Sequence, residues 1–169
     1  ASSGIGSSTH LASVLFAQKA GVEMEHVPYQ GGSPSVLATV SGEVQLIVIP
    51  HGAVQKLVEA GKLRTLAIAA PKRDPQLPEI PTVDESGVPG YSAEFQLGVF
   101  GPSGLPAPIV DKLNRAIVAV AADPDFIAAM QKLNYITRSS TPAGFADSMK
   151  LEFERYKAAA KSAKLTDSN

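Results

Sequence analysis

Met24-Glu25-His26-Val27-Pro28-Tyr29-Gln30-Gly31-Gly32-Ser33-Pro34 reads as a strand handing over to a helix through a glycine-serine turn. Met24 to Val27 suits a short strand, Gly31 and Gly32 free the backbone to turn, and Ser33-Pro34 is a cap-then-proline helix start. That helix is expected to run to about Val40 and to end at Gly42. Val44 to Ile49 then forms an apolar run, broken only by Gln45, of the kind buried in a parallel sheet. A helix over 52–60 stops at Gly61, and Leu63 to Ala69 is a further strand. Upstream, Leu11, Val14, Leu15 and Gln18 mark a helix over 7–20, with Gly21 just past its end. The order α-β-α-β-α-β with short links predicts an α/β fold with a parallel-rich, doubly wound sheet.

The first helix opens from Ser2-Ser3-Gly4-Ile5-Gly6-Ser7-Ser8-Thr9-His10. Its glycines allow close backbone approach, and a helix N-terminus leaves N–H groups without partners. With the aligned peptide dipoles and the serine hydroxyls, these groups suit a carboxylate, phosphate or sulfate. The bland alternative is an ordinary capped helix. Gly31-Gly32-Ser33 repeats the design after a strand, so both helix starts fall on the carboxyl edge of the sheet, where doubly wound folds bind ligands. Together they predict an uncharged anion cradle, which Tyr29 either walls or merely packs against.

Residues 71–91 break the pattern. Pro71, Pro75, Pro78, Pro81 and Pro89 exclude a regular helix or central strand, leaving a short turn near Thr82–Ser86 capped by Thr82. This segment is the expected boundary between a compact α/β lobe over 1–91 and a segment over 92–169 that is one strand followed mostly by helix. Phe95 to Phe100 is that strand, and Ile109, Leu113, Ile117 and Val120 form one stripe of a helix over 106–122. Asp123-Pro124 starts another helix ending near Leu133, and Tyr135 to Arg138 is a short strand. Thr141-Pro142 starts the last helix, whose inner face is Phe145, Met149, Phe153 and Tyr156.

Composition narrows the function. The formal net charge of −1 over 169 residues gives no long-range field toward nucleic acid or anionic membrane. Cysteine is absent, which removes thiolate chemistry and disulfides. His10, His26 and His51 lie far apart and lack the carboxylates of a helical metal pair, so structural roles are expected for them, with His10 bonding a backbone group. No G-x-S-x-G elbow and no Walker lysine occur, and Gly4-Ile5-Gly6 lacks the third glycine of a dinucleotide fingerprint. No catalytic residue, metal or cofactor is therefore assigned.

Six stretches occur in order: Ser3 to Leu11, His26 to Gly31, Ala60 to Ala67, Lys72-Arg73, Leu77 to Val83 with Glu85 to Gly87, and Gly101 to Pro106. In these the chain resembles the C-terminal part of the solute-binding proteins of the tripartite tricarboxylate transporter family (TctC/Bug type). The resemblance implies a periplasmic, Venus-flytrap binding protein of type II without catalytic activity, which captures small carboxylates for a membrane permease. It implies a ligand carboxylate held at Ser3, Gly4, Gly6, Ser7 and Ser8, with Tyr29 and Gly31 from the second loop. Residues 1–91 would be most of the second lobe, and 92–169 would return mainly to the first. The chain then matches only part of the two-lobed fold: it is a fragment, or a truncated relative that completes its sheet by pairing or swapping with another copy. Where members often carry acidic residues, this chain has Gln45 and Ile49, which favours a plain or aromatic carboxylate over an amino acid. Two rivals remain: an α/β enzyme acting on a small anionic metabolite, with His10, His26, Tyr29 or His51 as base, and a sensor docking through Pro71–Gly90.

Overall fold

The computed structural model describes residues 1–162 and residue 165. Helix α1 (Ser8–Ala20) starts at its expected serine: the Ser7 hydroxyl accepts from the His10 N–H, and Gly21 ends the helix in the left-handed conformation at φ 65°. Helix α2 (Gly32–Ser41) starts earlier than expected, with Gly31 rather than Ser33 at its cap, and ends at Gly42. Pro34 thus sits inside the first turn, where no intrahelical N–H bond is forfeited. A 3₁₀ turn (His51–Ala53) leads into α3 (Gln55–Glu59), and Gly61 follows at φ 66°. Then come α4 (Ala107–Ala121), α5 (Pro124–Gln131), capped by Asp123, and α6 (Pro142–Ser162).

The runs expected to be strands form no regular ladder among the described residues. Two isolated bridges occur, both parallel: Ser2 with Pro28, just past the Met24–Val27 run, and Ile68, in the Leu63–Ala69 run, with Thr82. The stretch Phe95–Phe100 differs most from expectation. Leu97, Val99 and Phe100 are all more than 70% exposed, so the burial that would hold a central strand is not realised there. Tyr135–Arg138 likewise forms no strand.

The chain divides into two compact units. Unit 1 holds Ala1–Phe95 and the residues from Arg155 on; unit 2 is Gln96–Glu154. The unit 1 core gathers Ala12, Leu15, Val88, Tyr91, Ala93 and Ala159, with Phe16, Val48 and Tyr156 against it. Tyr91 is its largest fully buried side chain: it meets Phe16 edge-on at 5.8 Å and donates its hydroxyl to the Ala12 carbonyl at 3.1 Å. The proline-rich segment closes on a capping box, where the Glu85 N–H donates to Thr82 Oγ1 and the Thr82 N–H to Glu85 Oε2. That backbone bond, and then Arg73, hold the Glu85 carboxyl below its ordinary range.

In unit 2, Phe145 fills the space beside Gly98 and tilts against Phe100 at 5.5 Å. The α4 stripe of Ile109, Leu113, Ile117 and Val120 is exposed. On α6, Met149 and Phe153 are exposed too, so only Phe145 and Tyr156 behave as the inner face expected of that helix. Helical spacing reports which side is apolar and is silent on what covers it. Among the described residues no helix is long and apolar enough to cross a membrane.

Candidate anion site at two helix starts

The site is built from Ser2 outward. Ser2 is fully buried; its N–H donates to the Val27 carbonyl and its carbonyl accepts from the Tyr29 N–H, at 3.2 and 3.0 Å. This parallel bridge lays the loop before α2 beside the loop before α1. Two close approaches follow. A side chain on Gly4 would stand 3.5 Å from the Tyr29 carbonyl oxygen, and one on Gly32 would stand 3.9 Å from Ser3 Oγ and 3.8 Å from Ile49 Cδ1. The two helix starts are neighbours, as the strand-turn-helix pattern predicts.

Within the first loop, hydroxyls and one imidazole secure the backbone. Ser3 N–H donates to Thr9 Oγ1 at 2.8 Å, Gly4 N–H to Ser2 Oγ at 3.2 Å, and Gly6 N–H to His10 Nδ1 at 3.1 Å. Ser7 donates its hydroxyl to the Gly4 carbonyl at 2.7 Å, and its N–H bonds the same oxygen. Gly4 and Gly6 have φ of 134° and 75°, values side chains rarely tolerate. Three amides are left over: the N–H groups of Ile5, Ser8 and Thr9 have no partner among the described residues. At α2, Gly31 (φ 115°) supplies no side-chain cap, and the N–H groups of Gly32 and Ser33 are open as well.

The expected site residues fall as follows. Ser3, Gly4, Gly6, Ser7 and Ser8 share the first loop, and Gly31 stands at the head of α2. The Tyr29 hydroxyl donates to Glu43 Oε1 at 2.7 Å, and this bond pushes the phenol up from its ordinary pKa. Its ring helps line a shallow cavity of about 470 Å³ along α2 with Pro34, Leu37 and Glu43. Tyr29 borders Gly4 through its backbone.

Sequence reasoning missed the pairing of two histidines. The rings of His10 and His26 stack at 3.6 Å with 9° between their planes, and His26 Nε2 lies 2.6 Å from Ser2 Oγ. Burial lowers the pKa of His10. For His26 burial is again the leading cause, followed by His10 and the Ala1 ammonium. Nothing in the spacing of the two residues signals the stack. His51 stays apart from these bonds, both ring nitrogens enclosed and without a hydrogen-bond partner among the described residues. No cluster of metal-ligating side chains occurs among the described residues.

The arrangement is chemically an acceptor site for an anion: open N–H groups at the positive ends of two helix dipoles, with hydroxyls beside them. The chain is 40% identical over 157 residues to the UPF0065 protein in the tcbD-tcbE intergenic region of Pseudomonas sp. (strain P51), covering 92% of this chain and 47% of that protein. Among solved structures it is similar to R. palustris Rpa4515 with adipate, at TM-score 0.87 and 32% identity, over 96% of this chain and 55% of that one. It is also similar to MatC (Rpa3494) from Rhodopseudomonas palustris with bound malate, at TM-score 0.78 and 28% identity, over 92% of this chain and 54% of that one. The chain thus spans about half the length of these proteins and has their α/β binding-protein fold in part. The model of the tripartite tricarboxylate transporter family receptor, TctC, matches residues 1–151, and the chain belongs to that family.

Proposed function

We propose that this chain supplies the carboxylate-gripping part of a periplasmic solute receptor, which captures a small carboxylate and delivers it to the permease of a tripartite transporter. One ligand carboxylate docks at Ser3, Gly4, Gly6, Ser7 and Ser8, and the start of α2 at Gly31 closes the other side. The observation that carries this reading is the set of open amides at Ile5, Ser8 and Thr9, held beside a second open helix start. Ile49 places an apolar group next to Gly32, which suits a plain carbon skeleton better than an amino substituent. The adipate and malate carried by the two neighbours make dicarboxylates the first class to test. Capture and release need no catalytic group, and we assign none. We place the lobe boundary near residue 91, with 92–169 returning mainly to the first lobe. Self-association by sheet completion remains a second assembly for light scattering to decide.

The test is a thermal-shift titration of the longest form of the protein its gene encodes, with adipate, malate and benzoate. A ligand at a hundred times its Kd stabilises the native state by about 2.7 kcal/mol. Gly6→Val, which forces a branched side chain into the left-handed region, should abolish the shift. A panel without any shift, or a shift that survives Gly6→Val, overturns the assignment.

A further inference from the structure

The His10–His26 stack lies beneath the Gly4-Ile5-Gly6 turn, and each ring reaches one of its two glycines. His10 Nδ1 accepts directly from the Gly6 N–H at 3.1 Å. His26 Nε2 meets Ser2 Oγ at 2.6 Å, and that same oxygen accepts from the Gly4 N–H at 3.2 Å. Ile5, between them, carries one of the open amides. We propose that His10, braced by His26, is the positioning residue of the anion loop: its neutral ring, protonated on Nε2 only, holds the turn in the form that leaves the Ile5, Ser8 and Thr9 amides open. This rests on the carboxylate-receptor reading above.

The protonation state follows from the geometry. The Gly6 N–H is a fixed donor, so Nδ1 must keep its lone pair. A proton there would set two donors against each other and release the amide of Gly6, whose φ is 75°. Two parallel imidazoles at 3.6 Å also resist being charged together, since two cations would then face each other at contact distance. The groups acting on the pair are the rings themselves and the Ala1 ammonium, which donates to the Leu46 carbonyl at 2.7 Å. Among the described residues no carboxylate is a cause of the shift of either ring. Burial acts in the same direction.

The decisive comparison is His10→Asn against His10→Leu. An asparagine Oδ1 can stand where Nδ1 stands and accept from Gly6, yet it does not titrate; leucine does neither. Calorimetric titration with adipate and malate is expected to give wild-type affinity that falls as the pH drops through the lowered folded pKa of His10. His10→Leu should bind about ten-fold more weakly or worse at neutral pH. His10→Asn should bind within about three-fold of wild type and lose the part of the acid dependence that follows the ring, keeping only that of the ligand's own carboxyls. In ¹⁵N spectra the Gly6 amide should titrate together with the His10 ring in the wild type and stay still in His10→Asn. Wild-type affinity and pH profile retained in His10→Leu would overturn the proposal, as would a Gly6 amide indifferent to His10 protonation. If the wild type binds neither dicarboxylate while Gly6 still follows His10, the receptor reading fails and the positioning geometry stands.

Discussion

Ser8→Asp separates a helix cap from a ligand site, because the two readings give it opposite signs. Ser8 is the first residue of α1, exposed, and its hydroxyl makes no hydrogen bond among the described residues. A carboxylate there loses nothing and gains from the helix dipole, typically about 0.3–1 kcal/mol. For a chain of this size that raises Tm by roughly 1–4 °C. The same charge stands beside the open amides of Ser8 and Thr9 and competes with any incoming anion. Two unit charges about 4 Å apart repel by about 1 kcal/mol in bulk water and about 4 near a protein surface. Affinity for adipate or malate should therefore fall at least about five-fold, and Ser8→Ala should show neither the gain in Tm nor that electrostatic loss. Differential scanning fluorimetry reads the stability and calorimetric titration the affinity. A stabilised Ser8→Asp protein that binds dicarboxylate as the wild type does would remove the ligand from the α1 start and leave only a capped helix.

Two further outcomes test the frame of the site. Tyr91→Phe keeps the edge-on contact with Phe16 and removes only the bond to the Ala12 carbonyl, so urea denaturation should show a loss of about 1 kcal/mol, whereas Tyr91→Ala opens a cavity in the unit 1 core and should cost about 3–5 kcal/mol. Both histidines of the stack have pKa values below the usual 6.5, so between their folded values and 6.5 the unfolded chain binds more protons. Stability should thus be complete above about pH 6.5 and decline as the pH falls through the folded values, and a His10→Asn, His26→Asn double variant should flatten that slope in urea midpoints measured against pH.

Features settled by neighbouring residues were legible in the sequence. Ser7 as cap, Gly21 at the left-handed end of α1, Asp123 before Pro124, and Thr82 with its turn all depend on hydrogen bonds within a few residues. The juxtaposed helix starts were legible too, because strand-turn-helix order fixes which edge a loop occupies. Long-range contacts were not. The partner that His26 finds in His10 depends on how the Ser2–Pro28 bridge brings two loops together, and no spacing rule encodes it. Gly31 rather than Ser33 heads α2 because both glycines there adopt whatever conformation the start needs, which blurs the boundary by two residues. Met149 and Phe153 were read as inward-facing from a periodicity that marks an apolar side without identifying its cover.

The hydrogen bonds that shape the first loop come from hydroxyls, an imidazole and backbone, with no charged side chain among them. An anion gripped this way meets dipoles aimed at short range rather than an opposed charge, and their pull falls off within the first turn of each helix. A loop of this kind attracts an anion through dipoles alone, an attraction that added salt screens. It would also distinguish an ionised acid from its protonated form without pairing either to a fixed cation.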